Sequence, residues 1–492
     1  MQFDAGPLLY VENKARQYNI NAGVEFSLPA DWGAEIYGTI SRNDGNFFQS
    51  RDDVTSSMAD SKSEVGLIEA RANGSVLSLP GGEAKLAVGA QFRAEDFRID
   101  IVNFPDPPIV TDAQRDVYSV FAEVLLPIVG ESNRRPGLHS LELSLSGRFE
   151  DYSDFGSTAN PKVGFLYAPG PGLNVRGTYG TSFIAPSFQQ LFLPVNATAL
   201  PGSFSPLQDG SPGPDYLFVG GGNPGLVAEE AETWTIGFDA EPELIDGLRI
   251  SGTYYNIEFT DRIGSPLNGS VRTLFTNPNT IDQRFITFDP PLSDVEAYFQ
   301  GRFLQILGDV TAEDIGAIID ARIQNSASTS TDGVDVSIEY ERPFADGTIR
   351  FGLNGNYILS SEALATPNSD PVEMINNFAQ PVDLRLRGSL GWSGDHLSTT
   401  LFVNYVDDYS SDRVGERVPV DSWTTFDVSV QYSLGQERAK GLLSGVRLAL
   451  NVQNLFNEAP PFVESGIDGI FYDGNNANPL GRFVSLELSK SF

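Results

Sequence analysis

The stretch from Arg482 to Phe492, RFVSLELSKSF, puts Val484, Leu486, Leu488 and Phe492 on one parity and Ser485, Glu487, Ser489 and Ser491 on the other. Period-two alternation of this kind gives a strand with one apolar and one polar face. A strand of about 9–11 residues is also long enough to cross a bilayer when tilted. A soluble protein can end this way too, so the weight of the pattern depends on its recurrence.

It recurs throughout. Leu141, Leu143 and Leu145 oppose Glu142, Ser144 and Ser146, and Val334, Val336, Ile338 and Tyr340 oppose Asp335, Ser337, Glu339 and Glu341. The same holds for Leu384, Leu386, Leu390 and Trp392, for Phe426 to Leu434, and for Val446 to Val452. About 17 such strands can be counted along the chain. Short connections carrying turn residues, such as Pro29-Ala30-Asp31, Pro80-Gly81-Gly82, Pro169-Gly170-Pro171, Pro343 to Gly347 and Ser393-Gly394-Asp395, alternate with longer stretches. The longer ones run over 43–63, 99–115, 183–228, 262–327, 361–380 and 454–481. Strict alternation of short and long connections is the habit of outer-membrane barrels, with short periplasmic turns and long extracellular loops. The expected fold is therefore all-β, a transmembrane antiparallel up-and-down β-barrel. With Phe492 at the periplasmic end, the last strand descends and every short turn falls on the periplasmic side.

Composition agrees and excludes several functions. A chain of 492 residues has the size of two to four soluble domains or one large barrel. It contains no cysteine, which removes disulfides and thiolate metal sites, and its two histidines, His139 and His396, stand far apart. With 32 basic against 65 acidic residues, a formal charge of −33 repels nucleic acid. No EF-hand spacing appears, so no metal site and no cofactor is assigned. No apolar run reaches the roughly 18–20 residues of a membrane helix, as expected where lipid-facing and lumen-facing residues alternate. Met1-Gln-Phe-Asp-Ala-Gly has neither the basic start nor the apolar core of a signal peptide, which points to a cytosolic protein or to a piece of a longer precursor.

Four segments, in order over roughly the last 310 residues, carry a family resemblance. Gly180-Thr-Ser-Phe-Ile-Ala-Pro-Ser-Phe-Gln-Gln-Leu-Phe192 is similar to a phenylalanine–arginine–alanine–proline stretch, with Ile184 where arginine is usual. Asn223-Pro-Gly-Leu-Val-Ala-Glu-Glu-Ala-Glu-Thr-Trp-Thr-Ile-Gly237 follows it, and then Asn325 to Tyr340 with Thr331-Asp-Gly-Val-Asp335. The last is Val452-Gln-Asn-Leu-Phe-Asn457 with Gly481-Arg482 and the terminal Phe492. Together they resemble the TonB-dependent outer-membrane receptors. The resemblance implies a Gram-negative outer-membrane location, a barrel of 22 strands with a plugged lumen, and uptake of an extracellular nutrient driven through the TonB complex. On that reading residues 1–492 are the C-terminal part of the barrel, about 17 of its 22 strands, and the plug that meets TonB lies outside this chain. An independently complete smaller barrel, with the last strand pairing with 16–28, is the alternative. Phe492 resembles the element read by the outer-membrane assembly machinery.

Candidate binding residues lie on loops and on the lumen wall. The proline- and glycine-rich stretch 183–228 carries Phe188, Phe192 and Tyr216 among several aromatics, suited to cupping a flat or sugar-like ligand. Arg385 and Arg387 share the parity opposite the apolar face and point into the lumen, toward an anionic ligand, the plug or a neighbouring acid such as Asp427. Within the large loop 262–327, Ser293/Glu296 and Thr311/Asp314 form capping-box patterns, and helical spacing predicts two short helices over 292–322. The acidic loops suit contact with lipopolysaccharide and its divalent cations. The resemblance to haem receptors stops at the ligand: no histidine lies between Ser187 and Gly222. Cobalamin, siderophores, oligosaccharides and other nutrients remain. A passive porin-like channel or a surface ligand-binding β protein are the other classes. Pairs such as Glu229-Glu230 imply no enzyme, since adjacency in sequence sets no carboxylate separation in space.

Overall fold

The computed structural model describes residues 9–51, 54–103, 108–267, 271–276, 281, 283–301, 304–412, 417–434, 445–464 and 471–490. One sheet dominates it. Its first half comprises β1 (Leu9–Leu28), β2 (Trp32–Arg51), β3 (Val54–Leu79), β4 (Gly82–Asn103), β5 (Ile109–Val129), β6 (Ser140–Tyr152), β7 (Gly156–Gly170) and β8 (Leu173–Ile184). A helix α1 (Phe188–Phe192) and strands β9 (Asn196–Leu200) and β10 (Asp215–Gly220) then leave the sheet. The sheet resumes with β11 (Glu229–Ala240) and β12 (Leu248–Gly264). A second excursion holds β13 (Ile286–Phe288), α2 (Leu292–Phe299), β14 (Leu304–Ile306) and β15 (Ile315–Asp320). The wall continues through β16 (Gln324–Phe344), β17 (Gly347–Leu364), the two-residue β18 (Val372–Glu373), β19 (Leu384–Gly394) and β20 (Leu397–Val406). After the small hairpin β21 (Tyr409–Ser411) and β22 (Val418–Val420), it ends with β23 (Trp423–Ser433), β24 (Val446–Gln453) and β25 (Phe483–Lys490).

Among the described residues the large sheet has 18 strands; β18 is a two-residue graft on β17, and the other 17 form the wall. Each wall strand pairs antiparallel with its neighbour in sequence order, as in β8–β11, β12–β16 and β23–β24. Register carries one face around the sheet: Leu488, Leu448 and Tyr432 lie side by side, as do Leu486, Leu450 and Val430. All of these but the half-buried Val430 stay exposed, Leu486 at 69% and Leu488 at 72%, because they form an outer band rather than a core. The opposite parity presents Ser429, Asn451 and Ser485 to the lumen.

Tight turns close one end of the wall. Ala30 and Asp31 both take positive φ, as two-residue reversals between twisted strands require. Gly247 sits at φ +82°, and a Cβ there would lie 1.9 Å from the Glu341 carbonyl oxygen, so glycine is required at that turn. The turn after β5 is longer, and is closed by Asn133, whose Oδ1 accepts from the Gly130 amide and whose Nδ2 donates to the Ile128 carbonyl.

Two expectations change at the other end. The stretches 43–63 and 99–115 are largely strand: pairing runs from Asn43↔Ser63 up to Arg51↔Val54, and from Ile99↔Thr111 to Ile101↔Ile109. Strands β1 to β5 span 20 to 26 residues. They exceed a bilayer crossing by about 10 residues, or roughly 30 Å of strand. The pairs Arg42–Asp44, Lys62–Glu64 and Arg98–Asp100 face water along these extensions, so the alternation weakens there while the ladder continues.

The second correction concerns the large loop. One of the two expected helices is present, α2, with Pro291 rather than Ser293 at its N-cap. The other is not. The Thr311/Asp314 capping box forms, but it opens a single 3-10 turn that leads into strand β15. Ile315, Ala317 and Ile319 are buried there at strand spacing, with Ile318 on the other parity. Four isoleucine-rich positions fit both periods in sequence, and β-branched side chains with sheet partners on both sides favour the strand.

Strands β1 and β25 both run from the loop end to the turn end. Among the described residues nothing pairs β1 with β25, so the smaller closure at 16–28 is not formed. An all-antiparallel ring needs an even number of strands, and two edges that point the same way cannot close one. Phe492, expected as an assembly signal, lies outside the described residues.

Candidate functional site

The two long excursions come together at the loop end. Their strands form a five-stranded sheet in the order β13-β15-β10-β9-β14, with β10 and β15 parallel. It has two cores of its own, one on Leu217, Val219, Val295 and Ile315, the other on Tyr216, Leu274, Ile281, Ala317 and Ile319. This lid is stitched to the wall by two asparagines. Asn223 Nδ2 donates to the Ile323 carbonyl and to Gln324 Oε1, while Asn325 Nδ2 donates to the Val227 and Asp261 carbonyls. Both asparagines belong to the segments that carried the family resemblance, and here they fix where the lid leaves and re-enters the wall.

Tyr216 belongs to the lid interior. It has no exposed surface, its ring meets Phe275 edge-on at 5.7 Å, and its hydroxyl lies 2.8 Å from Ser205 Oγ. Burial raises its phenol above the usual value. The aromatic content of the stretch therefore serves packing at this position.

Phe188 and Phe192 stand on α1, whose Ser187 and Gln190 form a reciprocal capping box. Phe188 stacks on Phe97 of the lumen wall at 5.7 Å and on Phe192 at 6.5 Å. Beneath them is Arg115, 5% exposed, with its guanidinium 4.7 Å from the Phe188 ring. Arg115 also donates to the Pro186 carbonyl at 2.7 Å and pairs with Asp154 at 2.6 Å and Glu95 at 3.6 Å. A polar ladder continues down the lumen face through Arg93–Glu95 and Arg148–Glu150. Arg115 was not singled out from the sequence. Its signal was parity: it shares the inward face with Ala113, Val117 and Ser119, all buried.

Arg385 and Arg387 do reach the lumen face, and both remain exposed. The ion pair with Asp427 does not form. Strand β20 intervenes, placing Val406 opposite Arg385 and Asn404 opposite Arg387. Asn404 donates to Asp427 at 2.8 Å, and the Asn454 amide donates to its other oxygen. The Arg387 guanidinium instead lies 4.7 Å over the Phe402 ring, and Arg385 donates to Asn476 Oδ1 and to the Asn475 carbonyl. Neither arginine has a carboxylate partner among the described residues. The two guanidiniums share a recess of the wall with Asn354, Asn356, Asn404 and the carboxylate of Asp335, to which Asn356 donates at 2.8 Å.

Three further loops meet beside Arg385. Asp473, 2% exposed, accepts from the Ala379 and Asn475 amides and from Asn476 Nδ2, each at 2.9 Å, and from Tyr409. Val382, Tyr409, Val420 and Val463 make the small core of this knot. The site is thus a lumen mouth with a cored lid on one side and a hydrogen-bonded loop knot on the other.

The family described as TonB dependent receptor-like, beta-barrel matches residues 2–455. The chain belongs to this family. No curated protein sequence matches it. Among solved structures, this receptor barrel is similar to the siderophore receptor PirA from Acinetobacter baumannii, at 15% identity and TM-score 0.67 over 98% of this chain and 63% of that one. It is similar to a mutant of the ferric enterobactin receptor PfeA from Pseudomonas aeruginosa, in complex with enterobactin, at 16% identity and TM-score 0.57 over 99% and 72%. It is also similar to a chain of the FpvAI–pyocin S2 complex, at 12% identity and TM-score 0.56 over 96% and 54%. At these identities the likeness is one of fold. The receptor barrel spans less than two thirds of the PirA chain from Acinetobacter.

Proposed function

We infer that this receptor barrel forms wall, lid and ligand-facing mouth of an active transporter in the Gram-negative outer membrane, which captures a scarce nutrient, foremost a ferric siderophore. The observation that carries this reading is the lid, a separately cored sheet seated at the loop end of a polar lumen. An open diffusion pore has no use for such a roof, whereas capture followed by energy-driven release needs a covered mouth. The named functions of PirA and PfeA support siderophore uptake as the first choice. Phe188, Phe192, Arg385 and Arg387 are the residues assigned to the ligand side, with Phe192 37% exposed at the open end of its stack. Phe188 doubles as the contact that seats α1 on Arg115, and Tyr216 acts through the lid core. Energy would come from the TonB complex. The outer band would contact lipid and lipopolysaccharide, and Phe492 would direct assembly.

Iron-limited cells carrying or lacking the native gene test this with radiolabelled ferric siderophores. Uptake is expected only when both the gene and a working TonB are present. Uptake that persists without TonB contradicts the reading.

A further inference from the structure

Pro161 parts the wall between two neighbouring strands. It has no backbone N–H to donate, so a ladder through the middle of a sheet cannot run on across it. Strands β7 and β8 pair from Lys162↔Gly180 toward the turn end. Beyond that pair, among the described residues, 156–161 pair only with β6 and 181–184 only with β11. The gap holds a recess of about 540 Å³, lined by both strand edges and by Glu230, Glu232 and Glu258. A second recess of about 510 Å³ adjoins it, with Ala159, Asn160 and Pro161 common to both. The second runs over Ala122 and Gly147, which face each other across β5 and β6, beside the pair Val120 and Phe149.

Both recesses open on the lipid side. Gly147 shares its parity with the exposed Leu145 and Phe149, and Glu232 shares its parity with the exposed Trp234, Ile236 and Phe238. A crossing of about 9–11 residues, counted from the turn-end residues Gly170, Ala240 and Leu248, reaches about 160–162, 230–232 and 256–258. The parting and the three carboxylates therefore lie at the outer headgroup boundary, with the apolar recess just beneath it. An open strand edge has no place in the hydrocarbon. Glu232 and Glu258 stand directly opposite each other, an arrangement that like charge disfavours. Tyr179 donates to Glu232, but among the described residues no Lys or Arg pairs with Glu230, Glu232 or Glu258.

We propose that the two recesses together seat one lipid of the outer leaflet whose headgroup carries a primary ammonium. Its acyl chain lies along Gly147 and Ala122, where covering apolar wall costs nothing in hydrogen bonds. Its ammonium sits at the parted edges and donates to Glu232 and Glu258, relieving their repulsion by charge-assisted hydrogen bonds. Charge complementarity selects a cationic donor here, since the recess offers carboxylates and no cation. The proposal rests on the membrane placement of the receptor reading, and on nothing about its cargo.

The native gene product in detergent micelles tests this, offered phosphatidylethanolamine and phosphatidylglycerol at equal mole fraction, with retained lipid counted by native mass spectrometry. The ethanolamine lipid is expected to be retained roughly tenfold over the glycerol lipid. E232Q/E258Q should erase that preference. G147F should weaken retention of both lipids, because a Cβ at Gly147 meets nothing within 4 Å and the added ring fills the recess rather than the wall. A122L fills the same recess and replaces G147F if that variant does not insert; heat-modifiable migration on gels reports insertion. Equal retention of the two lipids overturns the proposal, as does a filled recess that retains both like the parent. So does lipopolysaccharide retained ahead of phosphatidylethanolamine and only with magnesium, since the carboxylates would then bridge to an anionic lipid through the metal. Loss of selective retention while siderophore uptake persists sinks this site alone. A gene product that stays folded and monomeric without detergent sinks the membrane placement, and the receptor reading with it.

Discussion

Asn454 and Asn457 show how a short sequence signature becomes geometry. Both take left-handed backbone conformations, at φ 48° and 58°, which asparagine tolerates far better than most residues. Asn454 exchanges two hydrogen bonds with the Glu458 backbone, and the Asn457 side chain accepts from the Arg482 amide. Asn454-Leu-Phe-Asn457 thus starts the last loop and fastens its return, with Phe456 left 65% exposed. That role was legible in the residue types. The role of Asp473 was not, because its four donors come from positions up to 94 residues away. Removing one donor from a buried carboxylate costs about 1–3 kcal/mol, so Tyr409→Phe is expected to loosen the knot, seen as faster proteolysis within 365–383. Burial and the neighbouring Asp473 push the Tyr409 phenol well up. A raised value in the folded state contributes stability that is complete below the ordinary tyrosine value and is lost only as pH rises through the raised one. The knot should therefore resist proteolysis unchanged from neutral pH to the ordinary tyrosine range and open in stronger alkali. Tyr409→Phe should lack that alkaline transition.

Among elements, the wall strands were readable and the lid was not. Alternation over β6, β16, β19, β23 and β24 marks both their existence and their inward face, because a half-buried strand cannot shift by one residue without inverting its faces. Lid strands obey no such rule, since they pack on both sides and pair across distant segments: Leu217 meets Ile318, and Ala197 meets Leu304. Sequence spacing holds no record of those partners. The same blindness made Tyr216 look like a ligand contact and turned Ile315–Asp320 into an expected helix. The lid's independence yields a prediction at this scale. Ile319 is fully buried in the second lid core, and Ile319→Ala is expected to cost about 2–5 kcal/mol of local stability. Limited proteolysis should then cut within 262–327, while the wall keeps its heat-modifiable migration on gels. A variant that loses both together would mean that lid and wall fold as one unit.

At the scale of the whole molecule, the strand count and the up-and-down order followed from the rhythm of short and long connections. The height of the wall did not. Hairpins β1 to β5 stand well beyond a bilayer's thickness, because charged pairs such as Arg42–Asp44 interrupt the apolar parity without interrupting the hydrogen-bond ladder. The polar lumen ladder from Arg115 to Glu150 and the outer band from Val430 to Leu486 are two faces of one sheet, and the account of a receptor barrel in the outer membrane depends on that division. It can be measured directly, because the chain contains no cysteine and any introduced thiol is unique. Single cysteines at Val428, Val430 and Tyr432, and at Ser429 and Gln431, can each carry a fluorophore in the barrel reconstituted with brominated lipid. Quenching by the bromines is predicted at 428, 430 and 432, with water-soluble quenchers acting at 429 and 431. Equal quenching on both parities, or no lipid quenching on either, would contradict the membrane barrel.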